Sequence, residues 1–140
     1  MDPFSLTVGI AGLISLTVQL SQIVSKYIAG VKNATNSAIE LSTTLTVLDS
    51  TLNHLNTFLH KENARGNSFE YTSVLFSATN ACKARLQLLC DKLSKVDGSR
   101  IDRAINRLRW PLEEKENRTV VQDLQGYTQT FQFALTVDGW

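Results

Sequence analysis

At 140 residues and a net charge of +1, the chain is long enough to bury the core of one domain and carries no overall field that would steer it to nucleic acid. Apolar residues make up 43% of it, and only two prolines and seven glycines interrupt it, which favours a few long helices over many short strands. Cys82 and Cys90 stand eight apart in what reads as one helix, about 12 Å of rise, beyond disulfide geometry, and neither His54 nor His60 completes a metal set with them.

The first element runs from Phe4 to Ser25 without a charged residue, between Asp2 and Lys26. As a helix it would be roughly 33 Å long, near the ~30 Å hydrocarbon thickness of a bilayer. Phe4, Leu6, Val8 and Ile10, and again Ile14, Leu16, Val18 and Leu20, alternate as in a strand. Ser5, Gly9, Gly12, Ser15, Gln19, Gln22 and Lys26 instead step by 4, 3, 3, 4, 3 and 4, a small or polar stripe along one helical face. A strand of this length without a turn would be unusual. Asp2-Pro3 also reads as an N-cap followed by proline at the first helical position, so the segment is a helix. Two uses of it stay open: a core helix in which Gly9 and Gly12 let a neighbour approach, and a helix that leaves the bundle to enter a membrane. A permanent span fits less well, because eight of these 22 positions are Ser, Thr or Gln. A signal peptide fits poorly, since Asp2 stands in place of a basic residue and no small-x-small cleavage site follows.

After Gly30 and the polar connector Asn33–Asn36, Ser37-x-x-Glu40 offers a capping box for the second helix. Leu41, Leu45, Leu48, Leu52, Leu55 and Leu59 then repeat as 4, 3, 4, 3, 4, with Ala38 one turn ahead, a narrow stripe that requires a partner helix within the chain. His54 and His60 flank it as surface residues. A loop around Gly66 leads to a third helix from about Glu70 to Val96. Its seam is Leu75, Ala78 or Thr79, Cys82, Leu86, Leu89, Leu93 and Val96. Gly98 suits a left-handed cap, and Ser99 opens a short helix with Ile101, Ile105 and Leu108 facing inward. Pro111 ends that helix and can start the next, in which Glu113, Glu114 and Glu116 meet the positive end of the helix dipole. Val120, Leu124, Tyr127, Phe131 and Ala134 form the last seam, with Trp110 packing at the corner. The expected fold is all-α: an antiparallel four-helix bundle with one extra short helix, a single domain over residues 1–140. The chain stops just after its last seam, which is the expectation for an excised N-terminal module, with a naturally short protein as the alternative.

No catalytic constellation accompanies this pattern. There is no Gly-rich phosphate loop, nucleophile elbow or helical histidine pair, so the chain is not expected to be an enzyme, to carry a cofactor or to take a small-molecule substrate. Charge is unevenly placed. Between Lys83 and Arg109 there is an excess of five positive charges, and Arg100, Arg103 and Arg107 share a face of the short helix. With Lys92 and Lys95 they form a candidate patch for anionic lipid, each residue near the surface contributing about 1 kcal/mol. The alternative is a solvated face with ordinary ion pairs. Nucleic acid is disfavoured because no aromatic residues interleave with these bases. The triplets Asn33-Ala34-Thr35 and Asn117-Arg118-Thr119 are acceptor sequences for glycosylation, but without a signal peptide they are discounted and a reducing, cytosolic setting is expected.

Met1-Asp2-Pro3-Phe4-Ser5 leading to Gly9-Ile10-Ala11-Gly12-Leu13, then Lys26-Tyr27 and Val31-Lys32-Asn33-Ala34, resembles the start of fungal HeLo-like N-terminal domains. Arg109-Trp110-Pro111-Leu112-Glu113, with Leu124, Tyr127 and Phe131-x-x-Ala134-Leu135, is similar to their end. Such domains head NOD-like receptors of the signal-transducing NTPase type. The resemblance implies the N-terminal module of a larger receptor: a cell-death or immune effector that self-associates, moves from cytoplasm to plasma membrane and permeabilises it through its first helix. Carried onto this chain, the inserting helix would use Phe4, Leu6, Val8, Gly9, Ile10, Gly12, Leu13, Leu16 and Leu20. The alternative is a passive module that binds other helical signalling domains and has no membrane activity.

Overall fold

The computed structural model describes residues 3–31, 34–64, 72–94 and 110–138. They form helices α1 (Pro3–Gly30), α2 (Asn36–Ala64), α3 (Thr72–Leu93) and α4 (Glu114–Asp138), with no strand among the described residues. The fold is the all-α helical bundle the seams require. The short helix expected around Ile101, Ile105 and Leu108, with the cap at Gly98, lies outside the described residues.

The seams meet as their spacing demands. Ala38, Leu41, Leu45, Leu48, Leu52, Leu55 and Leu59 of α2 are all fully buried. Against them lie Leu6, Ile10, Leu13, Leu20, Ile23 and Val24 of α1, Leu75, Cys82, Leu86, Leu89 and Leu93 of α3, and Val120, Leu124, Phe131 and Ala134 of α4. Thr79, not Ala78, is the buried member of the α3 seam, and Tyr127 is only half-buried. Buried threonines satisfy themselves within their own helices: the hydroxyls of Thr17, Thr79 and Thr128 donate to the carbonyls of Leu13, Leu75 and Leu124 at 2.8, 2.7 and 2.8 Å.

Side-chain pairs give the directions of the helices. Gly9 lies against Thr79, and Gln19 Nε2 donates to Cys90 Sγ at 3.7 Å, so α1 and α3 run parallel. Arg85 pairs with Asp123 at 3.1 Å and Lys92 with Glu116, so α3 and α4 run antiparallel. Asn117 bonds Ser37 and Gln132 bonds Thr51, so α2 and α4 run parallel. Consecutive helices therefore alternate in direction. The main packing joins α1 to α2 and α3, and α4 to the same two, which sets α2 and α3 across one diagonal and α1 and α4 across the other. As a corner helix, α1 keeps an outward face along its length.

Two helix starts differ from expectation. Thr35, not the box at Ser37 and Glu40, caps α2: its hydroxyl accepts from the Ala38 N–H at 3.1 Å, so the helix begins one residue before Ser37. Pro111 does not start α4. It stands in a bend between buried Trp110 and Leu112, and the helix opens only at Glu114, with the Asn117 N–H bonded to the Glu113 carbonyl at 2.8 Å. Turning two large side chains into the core on either side of the proline uses residues that a helix starting there would carry round its surface.

Cys82 and Cys90 are both free thiols. Burial pushes the Cys82 thiol up to about 12 from an ordinary 9.0. An unfolded chain loses that proton near the ordinary value, whereas the folded chain retains it until its own. The contribution of Cys82 to stability is therefore intact below about pH 9 and falls as pH rises toward 12. Urea midpoints should drop more between about pH 8 and about pH 10 in wild type than in Cys82→Ala. Burial raises Tyr27 and Tyr127 too, so the variant keeps some slope. Equal drops in both proteins would show that Cys82 is not responsible.

Candidate functional site

The nine residues expected to form an inserting helix are split by the bundle. Leu6, Ile10, Leu13 and Leu20 are core residues, and Leu16 is half-buried against them. Val8 points outward, 56% exposed, and Gly12 is exposed. Gly9 is half-buried, and the side chain of Phe4 lies outside the described residues. A Cβ on Gly9 would meet the Thr79 methyl at 3.4 Å, an ordinary van der Waals contact. One on Gly12 would have nothing within 4 Å. Gly12 thus makes no close helix contact in this fold, contrary to its expected use in a core helix.

The outward face of α1 carries no charge from Val8 to Ser25. Its exposed positions are Val8, Ala11, Gly12, Ser15, Val18, Gln19, Gln22 and Ser25, and charge begins only at Lys26. The exposed positions of α2 are likewise uncharged from Thr43 to His60, and those of α4 from Thr119 to Thr136. Each of these two helices, however, carries a half-buried carboxylate within that stretch, Asp49 and Asp123, and α3 exposes Lys83, Asp91 and Lys92. Leu6–Gly30, 25 residues, is long and apolar enough to cross a bilayer, and 39% of its most apolar stretch is buried. A core helix of a soluble bundle also meets the length and composition criterion. The distinguishing feature is that α1 has no charged residue, exposed or buried, from Pro3 to Ser25, whereas each of the other three helices carries at least one within its length.

The carboxyl end of α1 is tied down by a buried polar knot. The Tyr27 ring lies 4.9 Å from that of Trp110, tilted by 50°. Trp110 Nε1 donates to Asn117 Oδ1 at 3.1 Å, and Asn117 Nδ2 donates to the Ser37 carbonyl at 3.1 Å. Burial pushes the Tyr27 phenol up, opposed by a hydrogen bond from the Trp110 backbone. One indole and one amide so join the end of α1, the start of α2 and the start of α4. Both polar ends of the nearly inaccessible Asn117 side chain are satisfied, which is also why its acceptor triplet is not offered for modification in this fold. Sequence reasoning placed Trp110 at a corner but passed over Asn117. The signal was its register, three residues before Val120 and seven before Leu124 in the α4 seam.

Of the candidate lipid patch, Lys92 is described, and its ammonium pairs with Glu116. Lys95, Arg100, Arg103 and Arg107 lie outside the described residues. Among the described residues no group of three His, Cys, Asp or Glu side chains could hold a metal ion.

The family model for the pigment biosynthesis cluster protein PigL N-terminal region matches residues 1–137. No curated protein and no solved structure matches the chain.

Proposed function

We propose that this chain, which belongs to the pigment biosynthesis cluster protein PigL N-terminal family, is a HeLo-like effector module that self-associates and permeabilises the plasma membrane through α1. The observation that carries this reading is that α1 has no charged residue at any depth from Pro3 to Ser25, where α2 carries Asp49, α3 Lys83 and Arg85, and α4 Asp123. A helix that only lines a soluble core can carry charge along its length, as α2, α3 and α4 do at Asp49, Arg85 and Asp123. A helix that exchanges its bundle neighbours for lipid cannot carry such charges, because each Asp, Lys or Arg at the bilayer centre costs about 2.5–3.5 kcal/mol on insertion scales. The polar residues of α1 are compatible with that exchange where they bond within the helix, as Thr17 does to the Leu13 carbonyl, since such a bond travels with the helix. In this reading the protein rests in the cytoplasm with α1 docked and reaches anionic lipid through Lys92, Lys95, Arg100, Arg103 and Arg107.

Charge reversal at Arg100, Arg103 and Arg107 together tests the lipid contact. Co-sedimentation with vesicles rich in anionic lipid should fall, wild-type binding should weaken as salt rises, and the melting temperature should stay nearly unchanged. Wild-type binding indifferent to both salt and anionic lipid content would remove the patch from the account. Release of trapped dye from the same vesicles tests the permeabilising step.

The second reading, a passive docking module, is favoured by exposed apolar side chains away from α1: Leu88 on α3 and Phe133 on α4, 60% and 59% exposed. Its expected result is a complex with a helical partner and no dye release.

A further inference from the structure

The two ends of α1 are held by different means. Toward its carboxyl end, Ile23, Val24 and Tyr27 are buried, and the Tyr27–Trp110–Asn117–Ser37 chain of contacts crosses to two other helices. Toward its amino end, both glycines of the helix interior fall within four residues, at Gly9 and Gly12. Glycine weakens a helix relative to alanine. At Gly12 the fold gains no packing in return, since the space around it is open. Leu6, Ile10 and Leu13 dock this half by apolar burial, which is non-directional and is lost progressively as the helix lifts.

We infer that α1 opens from its amino end while the Tyr27–Trp110–Asn117–Ser37 clasp stays closed and acts as the pivot. The fold thereby has a built-in order of release. Residues 6–20 part from α2 and α3 first, and the remaining three helices keep their clasped end. At about 15 residues the opened segment is of marginal length for a helix in water, so its amides exchange with solvent when it opens. This inference deepens the reading of α1 as the membrane-reaching element, and its test uses no lipid. A helix that opens this way in a protein that never releases dye would overturn the membrane reading and leave this one standing.

Native-state hydrogen exchange of the whole chain, followed by mass spectrometry of peptides, measures the order directly. Amides of residues 9–20 should exchange at least about tenfold faster than those of residues 23–30, the combined effect expected of two helix-interior glycines. Gly12→Ala, which the open space accommodates, should slow exchange in residues 9–20 by about threefold and leave residues 23–30 unchanged. Trp110→Phe keeps an aromatic ring beside Tyr27 and removes the indole donor to Asn117, so it should speed exchange in residues 23–30 and around Ser37. Equal protection along α1, faster exchange at residues 23–30 than at 9–20 in wild type, or a Gly12→Ala effect spread evenly over all four helices would each overturn the inference.

Discussion

Leu48→Asp and Leu52→Asp are each expected to unfold the domain. Both leucines sit at the middle of α2, fully inaccessible, in a seam that runs through six successive leucines. Truncating such a side chain to alanine costs about 2–5 kcal/mol through lost burial and the cavity left behind. An aspartate adds a carboxylate with no facing cation, because the surrounding core is apolar apart from threonines already bonded to their own helices. Against a typical total stability of about 5–15 kcal/mol, the sum removes most or all of the folded population. Val47→Asp is the control: Val47 is the chain neighbour of Leu48 but is 47% exposed, so its variant should stay folded. Circular dichroism with thermal melts decides the matter. A Leu48→Asp protein with wild-type helical signal and melting temperature would mean that the seam is not the core.

Trp110→Ala should have the next largest effect, a loss of about 3–5 kcal/mol in urea unfolding. The indole is buried beside Tyr27, and its N–H supplies the partner of Asn117 Oδ1. Removing it opens a cavity where three helix ends meet and leaves a buried amide oxygen without a donor, and the unmade hydrogen bond alone costs about 1–3 kcal/mol. Trp110→Phe should recover most of the packing contribution and little of the hydrogen-bond contribution. If Trp110→Ala unfolds at the wild-type urea midpoint, the knot does not hold the bundle end.

The leucine seam of α2 was legible because helical periodicity states which face must be dry, and six leucines on one face admit little else. On α1 the same rule marks a small and polar face, and Leu6, Ile10, Leu13 and Leu20 are buried on the side away from it. Periodicity does not say which helix meets which. That α1 runs parallel to α3 rests on Gly9 against Thr79 and Gln19 against Cys90, pairs with nothing in their local sequence to join them. Helix starts were misplaced where two caps competed: Thr35 and Ser37 are both good N-caps two residues apart, and the Ala38 N–H selected the first. Asn117 was missed because a buried amide has the same local signature as an exposed one, and only the arrival of Trp110 and Ser37 makes it structural. The outward direction of Gly12 and Ser15 was half legible. The stripe of small residues was plain in the sequence, but whether it faced a neighbour or water depended on the corner position of α1.

The exposed side of α1 provides the sharpest test of it as a helix that enters membranes. Ser15 and Val18 are exposed in the bundle, so Ser15→Glu with Val18→Glu should leave the melting temperature close to that of wild type. In the bilayer the same two carboxylates would together cost several kcal/mol, enough to stop insertion. The measurement is release of trapped dye from vesicles containing anionic lipid, wild type beside the double variant. The account predicts that wild type releases dye and that the folded double variant, still binding the vesicles, does not. Equal release by both proteins, or none by wild type on vesicles that it binds, would contradict it.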